Sequence, residues 1–305
     1  MKKQRFRIGS SADTAYELKN TLEIQLLYVS NLFSPSPKDA GKAIHEARQS
    51  YKKCRAILRL MRDAMGYASY YRENISLRDM QRELSQIRDA DVQYKLFKRL
   101  SKRYPEYGSK TWFTRIIEIA KTNYNLEMKR FLKTDKAEDI SRYTRLKAAQ
   151  IQQFELAGEG FEIIEGGLSR IYRQGREMGK TIFSQEADPY EVHAFRKRAK
   201  YLQFQLSYLR TISRELFKAM STTMEELTEN LGYYNDLHIA CTTIEEIAEE
   251  NKLTQKKLGI LLNGLREEMQ NAKSDSRKVY ETLYVEKPKH FVKRIRSYWE
   301  SYTLC

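Results

Sequence analysis

Six side chains on one stretch, His45, Arg48, Lys52, Arg55, Arg59 and Arg62, are spaced by 3, 4, 3, 4 and 3 residues. On an α-helix that spacing gathers them into an arc of about 100° and spreads them along about 25 Å of axis. Ile44, Ala47, Tyr51, Cys54, Leu58, Met61 and Met65 form an apolar stripe on the neighbouring arc. A row of cations without interleaved acids destabilises its helix unless counter-charges arrive. Arginine grips phosphate oxygens as a bidentate fork, and lysine acts as a mobile point charge. A histidine among cations has its charged form disfavoured, so it donates as a neutral ring or takes a proton when an anion binds. This chemistry suits an anion, and a repeating phosphate chain matches such a row better than a small metabolite does.

The pattern recurs. Val192-His193-Ala194-Phe195-Arg196 and Lys200 repeat Ile44-His45-Glu46-Ala47-Arg48 and Lys52 at an offset of 148 residues. Lys197 and Arg198 stand alongside; Gln203 and Ser207 replace Arg55 and Arg59, and Arg210 matches Arg62. Near the same offset, Ile87-Arg88-Asp89-Ala90-Asp91-Val92 pairs with Tyr234-Asn235-Asp236-Leu237-His238-Ile239. Two motifs in one order at nearly one spacing point to an internal duplication. The chain then divides into a basic segment 1–11, a first repeat 12–158 and a second 159–305. Packed about a pseudo-twofold axis, the repeats would turn their basic stripes toward each other and enclose a positive central channel. Arg88 is expected at the same surface. Arg170, Arg173, Arg176 and Lys180 form another helical basic series, read either as part of that surface or as a solvated face.

Long helices are needed to present such stripes, and the chain supplies them. Only 5 Pro and 13 Gly interrupt 305 residues, while 21 Tyr, 12 Phe and 2 Trp give it material to bury. Helical periodicity predicts helices over 12–33, 38–65, 77–102, 111–132 and 140–156, then, after Gly158 and Gly160, over 161–183, 189–209, 224–250, 254–272 and 289–302. Pro35 and Pro37 close the first, and Asp188-Pro189 opens one in the second half. No segment alternates with period two, so the fold class is all-α without a sheet. The formal charge is +15. Residues 1–158 hold 32 Lys and Arg against 18 Asp and Glu, and the remainder 23 against 22, so the field comes from the first half. Glu225, Glu226, Glu229, Glu245, Glu246, Glu249 and Glu250 balance the second half as a solvated acidic face.

The His-x-x-Arg-x-x-x-Lys-Lys-x-Arg run from His45 to Arg55, its repeat from His193 to Lys200, and the Arg-Asp-Ala-Asp and Asn-Asp-Leu segments resemble the CHAD family, the conserved-histidine α-helical domain. The likeness spans about Ala12 to Tyr302. It implies two pseudo-symmetric four-helix bundles around a basic pore that holds inorganic polyphosphate. It also implies that His45, Arg48, Lys52, Lys53, Arg55, His193, Arg196 and Lys200 line that pore. Gln203 departs from the basic residue the pattern expects. Arg59 and Lys197 join the set from the helical arcs, with Arg62, Arg88, Arg173 and Arg176 as a second tier.

Other chemistries fit less well. Two histidines among cations are a poor metal site, so neither metal nor cofactor is expected. Asp89, Asp91 and Asp236 are read as ion-pair partners that orient the bases, against the alternatives of metal ligands or acid–base groups. A Gly-rich phosphate loop, a Ser/Cys–His arrangement and a zinc motif are all missing, so no enzyme is expected. The alternative partner is nucleic acid, bound by the same basic surface; a phosphohydrolase or kinase and an adaptor for an acidic protein come behind it. Cys54, Cys241 and Cys305 are an odd set with no CxxC pair, which argues against a disulfide framework, and Cys54 reads as an inert core residue. No run nears the roughly 20 apolar residues of a membrane span, and the basic start lacks a signal-peptide core. A cytoplasmic location is expected, and the resemblance allows association with polyphosphate granules.

Overall fold

The computed structural model of the chain describes residues 6–9, 13–34, 37–108, 110–184, 187–250 and 255–303. Pro35, Cys305, most of the basic segment 1–11 and the side chain of Glu250 lie outside the described residues. Every long element is a helix, and no strand occurs among the described residues.

Helix α1 (Thr14–Leu32) starts where Asp13 accepts from the Tyr16 amide, and it buries Leu18, Leu22, Leu26 and Val29 at helical spacing. Helix α2 (Ala40–Leu60) starts on Asp39, which accepts from the Lys42 amide. The expected helix over 38–65 is divided: α2 ends at Leu60, α3 (Arg62–Met65) adds one turn, and Gly66 at φ 76° turns the chain into α4 (Tyr67–Glu83). The stretch over 67–76 was not expected to be helical, because α4 buries only Tyr70, Glu73 and Leu77 and its apolar stripe is faint. At buried Leu84 the chain kinks into α5 (Ser85–Arg103). A short α6 (Pro105–Gly108), α7 (Thr111–Leu132) and α8 (Lys136–Ile151) complete the first half.

The second half contains α9 (Glu162–Ser184), α10 (Pro189–Tyr208), α11 (Arg214–Glu250), α12 (Gln255–Leu283) and α13 (Pro288–Thr303). A capping box of Asp188 and Glu191 with Pro189 in the first turn opens α10. Among the described residues the long helices number six before Gly158 and five after it, more than the four per half that the resemblance implies.

The buried apolar side chains of both halves merge into one core. At its centre α2 packs on α10, and Gln205 donates to the Ala56 carbonyl across that contact at 3.1 Å. Helix α9 comes so close to the end of α2 that a Cβ on Gly167 would stand 2.2 Å from the Arg59 carbonyl oxygen. Residues 6–9 also cross to the second half: the Ile8 amide donates to the Tyr208 carbonyl at 2.9 Å, and Phe6 packs on Phe204 and Tyr208. No helix among the described residues is long and apolar enough to cross a membrane.

Candidate functional site

Because the apolar arcs of α2 and α10 are consumed by the core, their neighbouring arcs are left facing a concavity. A cavity of about 960 Å³ lies there, walled by α2, α4, α5, α7, α10 and α11. Nine Lys and Arg side chains line it against three carboxylates, Asp89, Glu127 and Asp236. Of the residues picked out by sequence, His45, Arg48, Lys52, Arg55, Arg88, His193, Arg196, Lys197 and Lys200 share this wall. Glu46 turns away from it to accept from the Tyr28 hydroxyl.

Two arginines at the centre are held in the same way. Arg48 Nη1 donates to the Gln81 carbonyl at 3.0 Å and to Ser85 Oγ at 2.6 Å, and its Nη2 is 3.9 Å from Asp89. Arg196 Nε donates to the Thr228 carbonyl at 3.0 Å. Lys200 Nζ reaches Thr228 Oγ1 at 3.4 Å, and that hydroxyl lies 3.2 Å from Gln203 Oε1. Gln203, where a base was expected, is thus a buried support for Thr228. A Cβ on Gly232 would stand 2.9 Å from the Arg196 guanidinium, so this glycine leaves the arginine its place against α11. Arg55 donates to Asn74 Oδ1 and Gln81 Oε1 at 3.2 and 3.3 Å. Guanidinium groups fixed by neutral acceptors keep their charge and spare donors for a ligand.

Mutual crowding is written into the proton affinities. Burial first, then Arg48, Arg196, Lys200 and Arg88, push the Lys52 amine down to about 8. Burial followed by Arg88 and Lys52 lowers His45; burial followed by Lys197 and Arg196 lowers His193. His193 Nδ1 is buried without a hydrogen-bond partner among the described residues. Burial also lowers Arg48, Arg55, Arg196 and Lys200. These groups favour release of protons, or arrival of negative charge.

The other expected residues lie off the cavity wall. Lys53, one residue and therefore about 100° from Lys52, sits 5.1 Å from the Phe6 ring centroid. Arg59 stacks 3.9 Å from the Tyr201 centroid and donates to Asn74 at 2.8 Å. Arg62 lies over Tyr67 and Tyr70. On α9, Arg170 grips Asp63 at 2.8 and 3.0 Å, Arg176 donates to the Tyr284 carbonyl at 3.1 Å, and Arg173 and Lys180 face solvent. The α9 series is therefore partly a packing device and partly a solvated face. Asp91 pairs with Arg88 and, at 2.8 Å, with Lys95; Asp236 pairs with Arg99 at 3.2 Å. Glu225, Glu226, Glu229, Glu246 and Glu249 are exposed, and Glu245 pairs with Arg266. Cys54 is fully buried, with its thiol pushed up to about 12 by burial.

Sequence reading missed Arg78 and Arg82 of α4, which line the cavity together with Gln49, Gln81, Gln93 and Asn123. Arg78, Arg82, Ser85 and Asp89 are spaced 4, 3 and 4, a signal that marks one helix face. It carried no duplicate, since Glu225 and Glu229 stand 147 residues on. Among the described residues no group of three or more His, Cys, Asp and Glu is placed to hold a metal ion.

The fold and cavity define a class: an all-helical protein presenting concentrated positive charge on the inner faces of packed helices. A family model, the CHAD domain, matches residues 35–245, and the chain belongs to that family. The chain is also similar in fold to the crystal structure of the CHAD domain from the plant Ricinus communis. The TM-score is 0.61 at 15% identity, covering 94% of this chain and 96% of that one. No curated protein matches.

Proposed function

We propose that this protein binds inorganic polyphosphate, without catalysing a reaction on it, in the cavity between α2 and α10. One observation carries the reading: nine cations against three carboxylates around about 960 Å³, with Arg48 and Arg196 each held by a backbone carbonyl and aimed at shared space. A linear polyanion relieves that crowding along its length, whereas one small anion relieves it only locally. The resemblance stated above and the family match point the same way.

In this reading the cavity is the middle of a channel between two duplicated halves. The order of elements supports duplication: α1, α2, α4 with α5, α7 and α8 run parallel to α9, α10, α11, α12 and α13. Tyr67–Arg103, the span of α4 and α5, and α11, Arg214–Glu250, begin and end 147 residues apart. Gln81 and Thr228, the carbonyls that hold the two arginines, are separated by the same 147 residues.

The test is a competition titration at about physiological ionic strength, with labelled long-chain polyphosphate displaced in turn by duplex DNA, single-stranded RNA, heparin and short phosphates. Polyphosphate is expected to bind tightly and to resist displacement by nucleic acid at equal charge concentration. Equal displacement by DNA or RNA would instead mark an open electrostatic surface and the nucleic-acid reading. Positioning has its own signature. Gly232→Ala should push Arg196 from the Thr228 carbonyl and weaken polyphosphate binding about tenfold, about 1.4 kcal/mol, with unchanged net charge and salt dependence. Calorimetry at two salt concentrations reads both quantities, and an affinity within twofold of wild type would remove Gly232 from the site.

A further inference from the structure

A second cavity, about 540 Å³, adjoins the first and shares Arg88, Val92, Arg196 and Asp236 with it. The rest of its wall is one face of α5, with Lys95, Lys98, Arg99 and Lys102. Arg88, Val92, Lys95, Arg99 and Lys102 are spaced 4, 3, 4 and 3. They therefore fall in an arc of about 80° and extend along about 21 Å of helix. The periodicity is that of the α2 stripe, carried away from the central cavity on a different helix.

Acids neutralise this stripe only in part. Lys95 pairs with Asp91 at 2.8 Å and Arg99 with Asp236 at 3.2 Å, whereas Lys98 and Lys102 have no carboxylate within 4.0 Å among the described residues. The helix that carries them is anchored at its far end. Glu268 of α12 accepts from Arg103 Nε at 2.9 Å and from the hydroxyls of Tyr104 and Tyr233. That clamp fixes the C-terminal end of α5 against α11 and α12, so Lys98 and Lys102 project from a held surface into the groove.

We propose that this groove is a second anion subsite, continuous with the central cavity, which receives the part of a long polyphosphate chain that extends past Arg88 and Arg196. The inference rests on the polyphosphate reading of the central cavity and adds to it a selectivity for long chains over short ones. A short oligophosphate is satisfied by the central cations alone. A long chain gains the α5 cations as well, each added phosphate contact releasing a counterion and steepening the salt dependence.

Lys98→Ala with Lys102→Ala tests it, since neither amine makes a hydrogen bond or ion pair among the described residues and the helix tolerates alanine. Binding of tripolyphosphate and of long-chain polyphosphate to the full chain is measured by calorimetry at several salt concentrations. For the variant, tripolyphosphate affinity should stay within twofold of wild type. Long-chain affinity should fall about tenfold or more, with a salt slope shallower by about two. An unchanged long-chain affinity, or an equal fall for both ligands, would overturn the subsite. Wild-type protein that binds neither ligand would instead overturn the parent reading, and the subsite with it.

Discussion

Arg48→Glu together with Arg196→Glu is expected to lower polyphosphate affinity by about a thousandfold or more while leaving helix content unchanged. Hydrogen bonds to charged groups contribute about 1.5–3 kcal/mol each, so losing two such contacts removes about 3–6 kcal/mol. Reversal adds repulsion to that loss. Both arginines line a cavity rather than the core, and the carbonyls of Gln81 and Thr228 that they leave lie within helices α4 and α11. The fold also gains something, because Arg48 and Arg196 are the first charges after burial that push Lys52 down. Circular dichroism and a thermal melt check the fold, and titration with long-chain polyphosphate reads the binding. Should the glutamates unfold the chain, Arg48→Gln with Arg196→Gln keeps size and polarity and is expected to cost at least a hundredfold. A loss of less than tenfold in a folded double variant would show that these two side chains are not where the chain binds.

The cationic stripe of α2 was legible because six residues held one helical phase and a second copy repeated four of them. Helical phase does not give depth, however. Lys52 and Lys53 stand on opposite flanks of the apolar stripe, and the first lines the cavity while the second stands over Phe6, because the packing of α2 on α10 decides which flank is open. Arg59 and Arg62 keep the phase and still leave the wall, drawn onto Tyr201 and onto the Tyr67–Tyr70 pair. Nor was α4 legible at its start: its burial is slight, and its counterpart in α11 runs on without a break where Leu84 kinks the first half. Arg78 and Arg82 fall inside the helix expected over 77–102 and still went unseen, because their counterparts 147 residues on are glutamates, so no duplicate marked them. Gly232 carried no signal at all; its role exists only because Arg196 lies against it.

Binding should also depend on pH in two separate windows, with the larger effect on the alkaline side. In the free protein the Lys52 amine is pushed down to about 8, from an ordinary 10.5, by burial and by the surrounding Arg48, Arg196, Lys200 and Arg88. A bound polyanion supplies the opposite charge and draws the amine back toward its ordinary value. Below about pH 7 Lys52 is protonated in both states and contributes no pH dependence. As pH rises past about 8 the free protein loses the proton while the complex keeps it, so affinity falls by up to tenfold per unit until the bound amine also titrates. The linkage for folding has the opposite sign. Lys52 holds its proton less well folded than unfolded, so this residue makes the ligand-free chain more stable as pH rises from about 8 toward the range near 10 where tyrosines ionise. His45 and His193, both lowered, create the acid window: neutral at pH 7 when free, they take up protons on binding, so affinity rises again as pH falls toward 5. Lys52→Arg should flatten the alkaline limb and His45→Gln with His193→Gln the acid one, each leaving the other limb in place. Calorimetry in two buffers of different ionisation enthalpy counts the protons taken up directly. No proton uptake at pH 9 would mean that the polyanion does not approach the centre of the cavity at all, whereas an alkaline limb that survives Lys52→Arg would place the titrating amine at Lys200, whose proton affinity burial lowers as well.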